Sequence, residues 1–120
     1  MVMGMFYKEF GLKKVLECGV ANSWKELEIG KYVYLTNNLD ENIFKDLSKQ
    51  VGVSIDEDGK EIIGIIPEEE GKLIKNFLDM GWGNNILFSA IISQNDSTKP
   101  LENRFKVAVY IKKAEVIKLR

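Results

Sequence analysis

Residues 59–81 read GKEIIGIIPEEEGKLIKNFLDMG, and the change of rhythm inside this stretch decides the fold. Glu61 to Ile66 is apolar at both parities, the pattern of a central strand covered on two sides. Pro67 then supplies the fixed φ suited to a first helical position. Glu68, Glu69 and Glu70 place negative charge at the positive end of a helix dipole. Leu73, Ile74, Phe77, Leu78 and Met80 trace one helical face, and Gly81 stands where a C-terminal cap glycine is expected. The stretch therefore predicts a strand followed by a helix over Pro67 to Met80.

Upstream, Val51 to Ile55 and Glu61 to Ile66 flank Asp58-Gly59, a pair favoured where a hairpin turn requires positive φ. Lys31 to Thr36 is rich in β-branched and aromatic residues and alternates, with Val33 and Leu35 toward the core and Tyr32, Tyr34 and Thr36 opposite. Phe10, Leu12, Leu16, Cys18 and Val20 share one parity, which predicts a strand over Phe10 to Val20. The polar interval from Asn37 to Gln50 holds Ile43, Phe44 and Leu47 at the spacing of a short helical turn. Downstream, Ile86 to Ile92 reads as a largely buried strand. After a polar loop from Ser93 to Asn103, Arg104 to Lys112 alternates, with Phe105, Val107, Val109 and Ile111 on one side and Arg104, Lys106, Ala108, Tyr110 and Lys112 on the other.

These elements predict a mainly β domain with one or two helices: a small antiparallel OB-like or SH3-like barrel closed by an α-helix, with a sandwich as the alternative. Residues 1–9 are expected to be a flexible N-terminal segment and residues 10–120 a single domain. Composition agrees, since 45% of the 120 residues are hydrophobic and 29% charged, the balance of one ordinary soluble domain. No apolar run reaches the ~20 residues of a membrane-spanning helix, and a lone cysteine suits a reducing compartment, so a cytoplasmic location is expected.

Composition also narrows the chemistry. The chain has no histidine and one cysteine, which removes the commonest general base and metal ligand, an internal disulfide and any Cys-pair zinc site. No nucleophile–base pair can be assembled, so no enzymatic activity and no cofactor are expected. Cys18, between Leu16 and Val20, reads as a buried inert thiol. The three glutamates after Pro67 point roughly 100° apart on a helix and cannot converge on one metal ion.

Charge is uneven despite a net of −1: residues 99–120 carry +5 and the preceding 98 carry −6. On the last strand Arg104 and Lys106 interleave with Tyr110, an arrangement suited to phosphates with a ring to stack on a base, or else to a solvated edge that resists aggregation. Tyr32 and Tyr34 offer a second stacking platform, or cross-strand packing beneath a loop or helix.

The strand–Pro–helix of residues 59–81 resembles the central signature of HIRAN domains, in which a glycine-flanked apolar strand meets a proline and a helix ending in Leu-Leu-x-x-Gly. Gly30-Lys-Tyr-Val-Tyr-Leu is similar to that family's Gly-x-x-Val-x-Leu strand, and the similarity spans roughly residues 10–113. Asn42-Ile43-Phe44 matches an Asn-x-aromatic portion of its pattern. Lys45 stands in the place of the family's Asp, with Asp46 one residue later.

What the resemblance implies is an OB-like barrel that captures the 3′ end of single-stranded DNA. Terminal bases would stack on aromatics, and a carboxylate would read the terminal hydroxyl. On this chain the implied contacts are Trp24, Phe44 and Tyr34 for stacking, Asn42 and Asp46 at the sugar end, and Arg104, Lys106 and Tyr110 along the backbone and bases. The expected function is a non-enzymatic nucleic-acid-binding module in repair or fork processing. The alternative is a protein-interaction or accessory domain that keeps the barrel without end binding.

Overall fold

The computed structural model describes residues 5–13, 27–37, 50–57, 61–82 and 87–111. These form six strands and two short helices: β1 (Met5–Gly11), β2 (Tyr32–Thr36), β3 (Val51–Ser54), β4 (Ile62–Ile66), α1 (Glu68–Asp79), β5 (Phe88–Asn95), α2 (Leu101–Arg104) and β6 (Phe105–Ile111). The strands make one sheet in the order β1-β6-β5-β2-β3-β4, and every neighbouring pair is antiparallel. The sheet curls into a half-barrel. Lys13, just beyond β1, exchanges both backbone hydrogen bonds with Ile65 of β4, at 2.9 and 3.0 Å, so the two ends of the strand order meet.

The concave side holds the core. Phe10, Val33, Leu35, Phe88, Ala90, Ile92, Phe105, Val107 and Val109 are buried there at alternate positions of their strands. The alternation read in β2 and β6 is thus realised, because strand residues two apart share a face, whereas β5, read as largely buried, is buried only at alternate positions. Each buried Phe, Ile or Leu side chain stabilises by about 1.5–3 kcal/mol relative to exposure.

The β3–β4 hairpin forms as expected, with Val51 opposite Ile66 and Val53 opposite Gly64. Asp58 and Gly59 lie outside the described residues. Asp56 holds the hairpin's ends: its carboxylate accepts from the Glu61 backbone N–H at 2.8 Å, and buried Ser54 donates to it and to its carbonyl. β4 is the last strand in the sheet order rather than a central one. Its double-parity apolarity reflects burial of Ile63 through Ile66, not a place between two long strands.

α1 packs over the Val51–Ile66 edge. A Cβ built on Gly71 would lie 2.9 Å from Ile66 Cγ2 and 3.4 Å from Val51 Cγ2, so the absence of a side chain sets how closely the helix can approach. Pro67 is the N-cap, with ψ of 153°, rather than the first helical residue. At the other end Gly81 takes φ of 89°, its N–H reaching the Leu78 carbonyl while Trp82 N–H reaches that of Phe77. This paired 5→2 and 6→1 pattern is a Schellman cap, the role expected of Gly81.

Three further regions depart most from the sequence reading. The strand expected from Phe10 begins at Met5, inside the segment expected to be flexible, and residues 14–20 of its expected run, including Cys18, lie outside the described residues. A bulge between Phe6 and Lys8 shifts the parity of β1, so no alternation announces it. The strand expected at Ile86–Ile92 is Phe88–Asn95 and carries its own bulge between Ile92 and Gln94. Arg104, expected as the first residue of the last strand, instead ends α2, a four-residue helix that follows Pro100.

Candidate functional site

Four strands, β1, β6, β5 and β2, expose a face turned away from the core, and antiparallel partners place their side chains side by side on it. One row across this face is Phe6, Tyr110 and Ser89. The next row is Glu9, Ala108, Ile91 and Tyr32. Lys106 opposes Gly11 and starts a third row. Tyr34, two residues beyond Tyr32 on β2, points to the same side, since Val33 and Leu35 on the alternate parity are buried.

In the middle of this face stand Ser89 and Ile91 of β5 and Lys106, Ala108 and Tyr110 of β6, small side chains beside large ones. The Phe6 and Tyr110 rings meet edge to face at 5.5 Å with planes 72° apart, forming one aromatic wall. Phe6 is 54% exposed and Tyr32, across the sheet, is 39% exposed. Aromatic pairs of this geometry are favourable by about 0.5–1.5 kcal/mol beyond area burial, which fixes the wall's orientation.

Charge gathers at one end. Glu9 reaches from β1 across β6 to accept a hydrogen bond from Ser93 Oγ of β5 at 2.7 Å, and Lys106 Nζ lies 3.9 Å from its other oxygen. Neighbouring strands are ~4.8 Å apart, so spanning two of them lays the Glu9 side chain over the sheet beside Ala108. The bulge at Ser93 turns that hydroxyl toward the carboxylate. The Lys106–Glu9 pair is exposed on both sides and contributes little to stability.

Of the residues singled out from the sequence, Tyr34, Lys106 and Tyr110 share this face. Arg104 does not join them: at the end of α2 its guanidinium donates to the carbonyls of Ser97 and Lys99, at 3.4 and 3.3 Å, and so ties down the loop between β5 and β6. Asp96 braces the same loop, accepting from the backbone N–H of Thr98 at 3.0 Å and from its hydroxyl. These bonds hold its carboxyl below the usual carboxylate range. Trp24, Asn42, Phe44 and Asp46 lie outside the described residues.

Sequence reasoning missed Phe6, Glu9 and Ile91 as members of the face. For Phe6 and Glu9 the parity shift of β1 hid the signal. For Ile91 an apolar residue in an apolar strand gave no sign that it faces outward. Among the described residues, no three His, Cys, Asp or Glu side chains gather as a metal site, and no helix is long and apolar enough to cross a membrane.

Comparison with protein-family models, with curated proteins and with solved structures finds no match for this chain.

Proposed function

We propose that this chain is a non-enzymatic, HIRAN-like module with an OB-like half-barrel, which binds single-stranded nucleic acid on the outer face of β1, β6, β5 and β2. The observation that supports the reading is the sharing of one sheet face by Tyr32, Tyr34, Tyr110 and Phe6 together with Lys106. Bases stack on aromatic rings with little regard to sequence, each stack contributing about 1–3 kcal/mol, while a lysine beside them meets a phosphate. In this reading Tyr34 and Tyr110 are stacking residues and Lys106 is a phosphate contact. Capture of a 3′ end would be completed by Trp24, Asn42, Phe44 and Asp46.

The test uses a labelled single-stranded DNA oligonucleotide with its 3′ hydroxyl free or blocked, titrated at several salt concentrations. Salt-sensitive binding that weakens on blocking supports end capture. Equal binding of the two forms with the same salt response leaves a strand-binding face without end recognition, and absence of binding at low salt refutes the reading.

A protein-interaction role is the second reading. It is favoured by the exposure of Met5, Phe6 and Ile29 and by the carboxylate of Glu9 beside the one lysine of the face's described residues. It predicts no oligonucleotide binding and protection of β1 amides by a protein partner.

A further inference from the structure

β1 is the last strand on its side of the sheet, and its outer edge is open. Leu12 N–H bonds inward to the Phe105 carbonyl, whereas Lys13 turns its N–H and carbonyl outward to Ile65 of β4. By the alternation of an antiparallel ladder, Gly11 and Glu9 turn theirs outward as well. The residue in line to face Gly11 is Pro67, two beyond Ile65. It has no N–H to give, and its carbonyl already accepts from Glu70 and Gly71 in the first turn of α1. Closure of the half-barrel therefore stops at Lys13, and among the described residues nothing bonds to the outward backbone groups of Glu9 and Gly11. On the same strand Met5 is 74% exposed and Phe6 54% exposed. An open edge carrying exposed apolar side chains is a template for pairing with another chain.

We infer that the bulge at Tyr7 and the charge of Lys8 hold this edge closed to a second copy of the chain, so that β1 is a dimer surface kept latent by two residues. Phe6 faces Tyr110 and Lys8 faces Val109, which leaves Tyr7 as the extra residue of the bulge. A bulge bends its strand and increases the twist, so a straight partner strand cannot follow the edge past it. The Tyr7 ring lies 6.3 Å from that of Phe10 and packs against the core, which anchors the bulge. Between the bulge and Pro67 only Glu9 and Gly11 present outward groups, a ladder too short to hold two molecules together. Lys8 is exposed, with its ammonium 5.5 Å from the centroid of the Phe10 ring, so its charge stands at the bulge itself. Two copies pair most simply about a twofold axis that sets β1 antiparallel to itself. With the axis at the bulge, the two Lys8 side chains face each other at about the 5 Å spacing of cross-strand neighbours, and like charges so placed are destabilising. This protection acts at the sheet edge and is independent of the nucleic-acid reading of the outer face.

The experiment compares the full chain with Lys8→Val and with a double variant that combines Lys8→Val with deletion of Tyr7. Sedimentation equilibrium over a range of concentrations gives the mass, hydrogen exchange reads the outward-facing Glu9 amide, and circular dichroism establishes that each variant is folded. The expected result is a wild-type chain of monomer mass throughout, a double variant whose mass at least doubles as concentration rises, and Glu9 exchange slowed about tenfold in the associated form. A double variant that is folded and stays monomeric overturns the inference. So does association that leaves Glu9 exchange unchanged, because the contact then lies elsewhere, and so does a wild-type chain that itself dimerises with Glu9 protected. If deleting Tyr7 unfolds the chain, Lys8→Val alone decides: Glu9 exchange that slows as concentration rises supports the latent edge, and exchange independent of concentration overturns it.

Discussion

Replacing Gly71 with alanine sets two effects of known size against each other. Alanine is favoured over glycine in a helix interior by about 1 kcal/mol. Against this, the new methyl would start 2.9 Å from Ile66 Cγ2, with Val51 Cγ2 at 3.4 Å behind it. Ile66 is fully buried, and its β-branched side chain has little rotamer freedom, so the methyl cannot swing aside as the tip of a long side chain would. Overpacking of this kind costs about 1–3 kcal/mol, so the net is a destabilisation of about 1 kcal/mol. For a domain of this size that lowers Tm by roughly 3–6 °C. Urea unfolding followed by circular dichroism measures it, with the m-value unchanged. Lys72→Ala, on the exposed side of the same helix, serves as the control and stays within about 0.5 kcal/mol of wild type. A Gly71→Ala variant as stable as wild type, or more so, would refute the seating of α1 on the Val51–Ile66 edge.

Gly64→Ala brings a Cβ to 3.1 Å from Leu12 Cβ and 3.2 Å from the Lys13 carbonyl oxygen, where backbone must give way; a loss of about 1–2 kcal/mol is expected, with faster amide exchange at Lys13 and Ile65. Lys75 and Asn37 both donate to the Asp79 carboxylate, at 2.6 and 2.9 Å, and hold its pKa below the ordinary aspartate value of 3.8. The stabilisation from this depressed group is present above that value and fades as pH falls through the lower folded-state pKa. Asp79→Asn should therefore cost about 0.5 kcal/mol at pH 7 and converge on wild type in strongly acid solution, as thermal melts at the two pH values would reveal. Lys106→Gln should weaken single-strand binding uniformly across sequences and make the salt slope shallower by about 0.7, the share of one phosphate contact; an unchanged slope removes Lys106 from the interface.

The sequence made some elements plain for definite reasons. β2 was legible because Val33 and Leu35 are buried while Tyr32 and Tyr34 face outward, so the period of two survives intact. The end of α1 was legible because Gly81 takes the positive φ that its cap requires. β1 was obscured by its bulge and by its place at the end of the sheet order, where Lys8 and Glu9 can stand exposed within a strand. Arg104 was misplaced because alternation through residues 104–112 continues across the boundary between α2 and β6, and a four-residue helix leaves no period of its own. For the site, parity alone put Tyr34, Lys106 and Tyr110 on outward faces. That β1 would lie beside β6 and bring Phe6 to Tyr110 and Glu9 to Ser93 depends on sheet order, which no local pattern encodes.

The outer sheet face as a strand-binding surface is tested most directly by mapping backbone amide NMR shifts while titrating the chain with a ten-residue single-stranded DNA at low salt. The account predicts that the largest changes fall on Phe6, Tyr32, Ser89, Ile91, Lys106 and Tyr110, and that Tyr110→Ala weakens binding by about 1–3 kcal/mol. Changes confined to α1 or to the β3–β4 hairpin, or no changes at all, would contradict it.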